Sequence, residues 1–135
     1  MATVSVSLRS VTDTGAAMGW AGGHTVVIDR NSGKAGGTGL GFNGAQMLGL
    51  AIGGCFCNDL RYKAEEMGIT IVSIAVDVAL ELGGQPSRVL GCDLAVTVMS
   101  DDANADIAGL VAQSEQASTI GQSVITGFPV RVRAS

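Results

Sequence analysis

Apolar and polar residues alternate in two long segments in the second half of the chain, residues 69–82 and residues 89–98. The sequence Gly83-Gly84-Gln85-Pro86-Ser87 between them is rich in turn-forming residues. Because a period of two places one face of a strand against the core, the pattern predicts a long antiparallel hairpin with one wet face. The apolar face is expected to carry Val72, Ile74, Val76, Val78, Leu80, Leu82, Leu90, Cys92, Leu94, Val96 and Val98.

Three shorter segments near the start of the chain also have strand-like patterns: residues 3–11, 16–20 and 24–29. Tight turns separate them, so we expect an antiparallel meander. A glycine-rich segment follows at residues 34–41. Its spacing does not match G-x-x-x-x-G-K-[ST], and no Lys follows its last glycine. The segment is therefore predicted to be a flexible connector and not a phosphate-binding loop.

A long helix is predicted at residues 43–67. Asn43 and Gln46 have the spacing of a capping box, and Gly68 suits the position just after a helix end. Between Met47 and Cys57 the residues are apolar or small on every side, which predicts burial all round. A stripe of small residues at every fourth position predicts the close approach of another helix. That stripe consists of Ala45, Gly49, Gly53 and Cys57.

Two helical segments and a strand are predicted after the hairpin. Asp101 and Asp102 are expected to cap a second helix that ends near Ala117, and a short turn of helix is expected at residues 119–124. Residues 130–133 have the pattern of a final strand. Strands segregated from helices in this order predict the α+β class, with residues 1–135 forming a single domain. A helix buried on every side needs more covering surface than one small domain supplies, so we expect a partner subunit.

Composition narrows the function classes. The chain has 135 residues, 47% of them apolar and 15% charged, and its net charge is −4. A negative charge argues against binding to nucleic acid and favours a small molecule or a protein as partner. The chain has no apolar run of membrane-spanning length and no signal-like N-terminus, so we expect a cytoplasmic protein outside the membrane.

Three cysteines and one histidine fit neither a disulfide framework nor a zinc site, so no metal or cofactor is predicted. Cys55 and Cys57 lie two residues apart on the predicted helix and point about 200° apart, which prevents a bond between them. Asp59 lies one turn after Cys55. Cys92 falls on the apolar face of the hairpin and is expected to be a small buried hydrophobe. Any chemistry of the cysteines would therefore be catalytic, redox-sensing or absent.

One stretch of the chain resembles a known family. The run Asn43-Gly-Ala-Gln-Met-Leu-Gly-Leu-Ala-Ile-Gly-Gly-Cys55-Phe56, followed by the hairpin and by Glu115-Gln-Ala-Ser-Thr-Ile, resembles the OsmC/Ohr family of thiol-dependent peroxide-handling proteins. The resemblance covers the chain from about Gly36 onward. It implies an intertwined homodimer in which sheets from both subunits wrap the central helices. It also implies that Cys55 is the cysteine that reacts with hydroperoxides.

The chain departs from the family pattern at several positions. Gly44 and Ala45 stand where the family has Pro and Glu, and that Glu helps to hold an Arg beside the thiolate. Arg30 is the candidate for this Arg. The second family cysteine falls on Ser118. The resemblance therefore implies a divergent, single-cysteine peroxidase in which an external thiol restores Cys55, with Cys57 or Cys92 as substitute resolving thiols.

Two other functions fit the same residues. A non-catalytic dimer would use the apolar pocket around Cys55 to bind a small hydrophobic ligand. A purely structural dimerisation module would need neither a reactive thiol nor a ligand. A reactive cysteine requires a stabilised thiolate, whereas burial in apolar surroundings makes the thiol inert. The reactivity of Cys55 therefore separates the enzyme from the other two.

Overall fold

The structure is a computed structural model that describes residues 1–134. It confirms the α+β class, with two antiparallel sheets and three helices among these residues. Contacts group the chain into two compact units, Met1–Leu48 and Gly49 onward. The elements are β1 (Ser7–Ser10), β2 (Ala17–Ala21), β3 (His24–Ile28), α1 (Gly44–Met67), β4 (Ile71–Gly83), β5 (Arg88–Ser100), α2 (Ile107–Ala117) and α3 (Thr119–Thr126).

The first unit contains the predicted meander, an antiparallel sheet in the order β1-β2-β3. β1 begins at Ser7, later than the alternation at residues 3–11 predicts. The reason lies in the pairing: Ser7 is opposite Trp20, and β2 ends one residue later. Residues 3–6 therefore have almost no strand to pair with. Alternation alone cannot reveal where the partner strand ends.

A buried carboxylate organises the loop between β3 and α1. Asp29 accepts hydrogen bonds from the backbone N–H groups of Arg30 at 2.7 Å, Thr38 at 3.2 Å and Leu40 at 3.0 Å, and from the Thr38 hydroxyl at 2.8 Å. These hydrogen bonds hold the pKa of Asp29 well below its usual range, and the bond from the Leu40 N–H has the largest effect. The glycine-rich loop is therefore tied down, and its N–H groups at residues 38 and 40 already serve an anion of the chain itself.

Helix α1 begins and ends as predicted. Asn43 and Gln46 form the reciprocal capping box, each backbone N–H donating to the other side chain at 2.9 Å. Gly68 ends the helix with a φ of +69°, and the N–H of Ile69 bonds to the carbonyl of Ala64 at 2.8 Å. The buried residues of α1 are Gly49, Ile52, Gly53, Phe56, Leu60 and Ala64. Within this chain α1 is therefore buried on one face and not on every side as predicted, since Leu50 is 54% exposed.

The small-residue stripe of α1 packs against a strand and not against another helix. A Cβ placed on Gly53 would lie 2.7 Å from Cγ2 of Val78, and one on Gly49 would lie 3.3 Å from Cδ1 of Leu80. Both neighbours belong to β4. The stripe predicted a close approach correctly, but the approaching element is the hairpin.

The β4–β5 hairpin is confirmed, with pairing that runs from Ile71 opposite Ser100 to Gly83 opposite Arg88. Three residues predicted on its apolar face are instead exposed: Val72 at 59%, Leu82 at 53% and Leu90 at 67%. The pairing shifts between Ile71 and Ser73 and again between Glu81 and Leu82. A bulge adds a residue to one strand and reverses the side on which later residues point. The predictions for these three residues were therefore wrong, although the alternation between the shifts holds.

Helices α2 and α3 close the second unit. The cap of α2 is Asp106, whose carboxylate accepts from the N–H of Gly109 at 2.9 Å, so the prediction of Asp101 and Asp102 as caps was wrong. Those two residues lie in the loop before the helix. The buried core of the unit consists of Phe56, Leu60, Ala64 and Leu110.

The final strand predicted at residues 130–133 does not form in this structure. Residues 127–134 lie outside helices and strands. Phe128, Val130 and Val132 are 65%, 80% and 92% exposed. A strand needs a partner edge for its backbone groups, and the described part of this chain pairs none with the segment.

Candidate functional site

Cys55 lies on α1 at the margin between its buried and exposed faces, and its side chain is half-buried. Its Sγ is 3.6 Å from Oδ2 of Asp59, one helical turn later, and 3.8 Å from Oγ of Ser118. The first contact follows from i,i+4 spacing on a helix, whereas the second joins residues 63 positions apart. The structure thus gathers a thiol, a carboxylate and a hydroxyl at one point.

Ser118 is held in place by the junction of two helices. Its backbone N–H bonds to the carbonyl of Glu115 at 3.4 Å and ends α2, while its Oγ accepts from the N–H of Gly121 at 3.4 Å and caps α3. The residue is 3% exposed. Gln122 braces the same junction by donating its side-chain amide to the carbonyl of Glu115 at 3.0 Å. A residue with these bonds has little freedom to turn away from the sulfur.

The hydrogen bonds at this point have a consistent direction. The Gly121 N–H donates to Ser118 Oγ, the Ser118 hydroxyl donates to Cys55 Sγ, and the thiol donates to Asp59. Sulfur therefore acts as acceptor towards one neighbour and as donor towards the other. Sequence reasoning placed Asp59 one turn from Cys55 but did not assign it to the site. The i,i+4 spacing was the signal available for doing so.

Within residues 1–134, neither of the other two cysteines forms a hydrogen bond with this cluster. Cys57 is two positions from Cys55 on the same helix, so the two thiols point in opposite directions. Cys92 lies on β5 and is half-buried. Burial, together with the neighbouring charge of Asp93, raises the pKa of the Cys92 thiol. All three cysteines carry free thiols.

Ser118 also lines a cavity of about 320 Å³ in the second unit, and Cys55 is not among the residues that line this cavity. Its walls come from α1, β5, α2 and α3. The wall is mainly apolar, and two exposed carboxylates, Asp93 and Glu115, also line it. The remaining lining residues are Ile52, Phe56, Cys92, Leu94, Val96, Val111, Ser118, Gly121 and Gln122. The size suits a small organic ligand.

Arg30, the candidate partner for the thiolate, belongs to the first unit. Its guanidinium donates to the carbonyl of Gly15 at 2.7 Å and lies 3.8 Å from Oδ1 of Asp29. These contacts assign it a role in the loop after β3. Among residues 1–134, metal-ligating side chains form no cluster of three or more, and no helix is long and apolar enough to cross a bilayer.

The sequence and the fold match known proteins. The family model described as OsmC-like protein matches residues 37–133. An OsmC-like protein from Mycoplasma pneumoniae has a similar structure, with a TM-score of 0.78, 13% identity, and coverage of 92% of this chain and 88% of that chain. No curated protein sequence gives a significant match.

Two further solved structures carry functional descriptions. One is an organic hydroperoxide resistance protein OsmC from Legionella pneumophila, with a TM-score of 0.69, 16% identity, and coverage of 92% of this chain and 90% of that chain. The other is the organic hydroperoxide resistance protein OhrB of Bacillus subtilis, with a TM-score of 0.64, 21% identity and coverage of 90% of each chain. At these identities the likeness concerns the fold.

Proposed function

This chain belongs to the OsmC-like protein family, and from that premise we propose that it reduces organic hydroperoxides slowly at a single cysteine, Cys55, with an external thiol as reductant. The observation that carries the proposal is the contact of Cys55 Sγ with Ser118 Oγ at 3.8 Å. Ser118 is the position at which the family resemblance places the second cysteine. The contact supports a site in which these two residues face each other, with a hydroxyl where the family has the second thiol.

The proposed reaction balances without a cofactor. The Cys55 thiolate attacks the terminal oxygen of the hydroperoxide, the O–O bond breaks, and the alkoxide leaves as an alcohol after taking a proton. Cys55 is then a sulfenic acid. An external thiol attacks its sulfur, water leaves, and a mixed disulfide forms. A second external thiol releases Cys55 and leaves as the oxidised disulfide, so two thiols supply the two electrons that the hydroperoxide accepts.

The remaining cysteines fit a role outside this cycle. Cys57 points away from Cys55 on the helix, and the raised pKa of Cys92 keeps that thiol protonated, which makes it a poor attacking group. An external reductant is therefore part of the proposal. Low-molecular-weight thiols are abundant in a reducing compartment, and three free cysteines persist there, so we place the activity in the cytoplasm.

The test is consumption of cumene hydroperoxide by the purified protein in the presence of dithiothreitol. We expect slow turnover that is abolished in Cys55→Ser and retained in Cys57→Ser. Without a resolving thiol in the protein, Cys55 should also accumulate as sulfenic or sulfinic acid when the reductant is omitted, as intact-mass spectrometry would record. Failure of the wild type to consume the hydroperoxide would refute the proposal.

We also propose that the protein is a homodimer. Support comes from the apolar side chains that one chain leaves exposed on α1 and in the C-terminal segment. Leu50 is 54% exposed on α1, and Phe128, Val130 and Val132 are more exposed still. Sedimentation velocity should give the mass of two chains, and Leu50→Glu should lower it. Gly53 is not a suitable position for such a variant, because it packs against β4.

The cavity supports a second candidate, the binding of a small hydrophobic ligand without catalysis. Its wall carries the apolar side chains of α1, β5 and α2. Titration with toluene, followed by the NMR shifts of methyl groups, should perturb Val111 and Leu94 in the wild type, and the shift change at Leu94 should be lost in Val111→Phe. Binding together with no hydroperoxide consumption would favour this function over the peroxidase.

A further inference from the structure

The carboxylate beside Cys55 has no place in the proposed reaction. Asp59 Oδ2 accepts a hydrogen bond from the Cys55 thiol, with 3.6 Å between Sγ and Oδ2, and this is the hydrogen bond described for the Asp59 side chain within residues 1–134. Asp59 is half-buried and on the same helix as Cys55, so α1 holds the two groups at fixed spacing. We propose that Asp59 restrains Cys55 by holding it in the protonated, unreactive thiol form.

The sign of the effect follows from ordinary acidities. An Asp carboxyl loses its proton near pH 3.9 and a cysteine thiol near pH 8.5. A thiol is the weaker acid of such a pair, so the proton stays on sulfur. Asp59 is therefore too weak a base to activate the thiol. Its negative charge instead opposes the formation of a second negative charge on the sulfur.

The other groups around the sulfur do not reverse this sign. Ser118, contributed by the α2–α3 junction, is neutral. The cavity that Ser118 lines contains three ionisable residues, Asp93, Glu115 and Cys92, and none of them is a cation. On α1, Lys63 pairs with Glu66 at 2.8 Å, and Arg61 is exposed. Among the described hydrogen-bond partners of the Cys55 sulfur, Asp59 is therefore the charged one.

The inference rests on the proposed role of Cys55 as the nucleophile, but its test does not require hydroperoxide. Alkylation by iodoacetamide reports the thiolate directly. We would measure it from pH 6 to 10 in a Cys57→Ser/Cys92→Ser background, where Cys55 is the sole thiol. The variant is Asp59→Asn, which removes the charge and keeps the shape. Glu65→Gln, an exposed residue of the same helix, is the matched control for the change in net charge.

We expect Asp59→Asn to alkylate faster at pH 7 by about fivefold or more, since a unit charge at about 4 Å has that effect even in water. The midpoint of the pH profile should move to lower pH while the plateau rate at high pH stays the same. A change in exposure or packing would alter the plateau and leave the midpoint in place. Glu65→Gln should match the parent protein.

An unchanged midpoint, or slower alkylation in Asp59→Asn, would overturn the inference. If Asp59→Asn does not fold, Asp59→Ser carries the same comparison, and circular dichroism identifies the folded variant. A shifted midpoint in a protein that consumes no hydroperoxide would sustain the inference and refute the proposed function. Hydroperoxide consumption with an unchanged midpoint would support the proposed function and overturn the inference about Asp59.

Discussion

Asp29 and Asp59 are two carboxylates in different surroundings. Asp29 accepts four hydrogen bonds at 2.7 to 3.2 Å, three of them from backbone N–H groups, and is 3% exposed. Asp59 is half-buried, and its described partner is one thiol at 3.6 Å. The number of donors separates them. Backbone donors compensate the charge of Asp29 and turn it into a structural tie, whereas the charge of Asp59 remains to act on its neighbour.

The comparison also separates the two glycine-rich regions that these residues adjoin. The loop after β3 offers N–H groups to an anion, and Asp29 is that anion, so the loop serves the fold. The glycines of α1 allow β4 to approach the helix closely, with Gly53 against Val78. That contact seats the helix that carries Cys55 and Asp59. The glycines of α1 therefore permit a close packing contact, whereas the backbone donors that tie the loop to Asp29 come from Arg30, Thr38 and Leu40.

The largest expected effect on stability comes from removing the charge of Asp29, which tests its role as a structural tie. Asp29→Asn replaces one acceptor oxygen of the carboxylate with a donor amide. The N–H groups of Arg30, Thr38 and Leu40 then lie beside a neutral side chain. We expect a clear fall in melting temperature by circular dichroism. Asp59→Asn should change the free energy of unfolding by less than about 0.5 kcal/mol. Similar losses of stability in both variants would show that the two carboxylates do not differ in their structural role.

Acid should remove the contribution of Asp29 selectively. Because the folded-state pKa of Asp29 is held well below its usual range, its stabilisation is fully present above about pH 3.9, the value for an unfolded chain. It declines below that value and is lost once the pH falls through the folded-state pKa. Urea midpoints measured between pH 7 and pH 3 should therefore fall more steeply for the wild type than for Asp29→Asn. Parallel curves would mean that Asp29 is not the tie proposed.

Ser118→Cys tests whether residue 118 can react with Cys55. With Cys55 Sγ only 3.8 Å from the position of Ser118 Oγ, the new thiol should attack the sulfenic acid and form a disulfide, raising hydroperoxide turnover severalfold. The family resemblance predicts a larger gain when Ala45→Glu is added. Ser123→Cys is the control, because its hydroxyl bonds to Thr119 and has no described contact with Cys55. Mass spectrometry without reductant would detect the disulfide, and its absence in Ser118→Cys would contradict the pairing.

Substitutions in the hairpin on which the Cys55 helix packs test the register of its strands. Val76→Ala should cost about 1–3 kcal/mol, because Val76 faces the core cluster. Val72→Ala and Asp77→Asn should each cost less than about 0.5 kcal/mol, since both side chains are exposed. Urea unfolding would measure all three. Equal losses at Val72 and Val76 would show that the bulge does not reverse the strand.

Local patterns determined much of the fold. The capping box of Asn43 and Gln46, the glycine end of α1 at Gly68 and the alternation of β4 and β5 each involve residues close in the chain. Backbone geometry ties such spacings to one structure, so the sequence suffices to read them. The position of Asp59 one turn after Cys55 belongs to the same group. Its contact with the Cys55 thiol follows from the same i,i+4 spacing.

Tertiary structure decided what depends on distant partners. Bulges in the β4–β5 pairing exposed Val72, Leu82 and Leu90, because the register of one strand depends on the other. Asp29 became a structural tie because a loop nine to eleven residues later folds back onto it. Ser118 meets Cys55 across 63 positions because the α2–α3 junction packs at that point of α1. No local pattern encodes such contacts, since they arise only when the whole core packs.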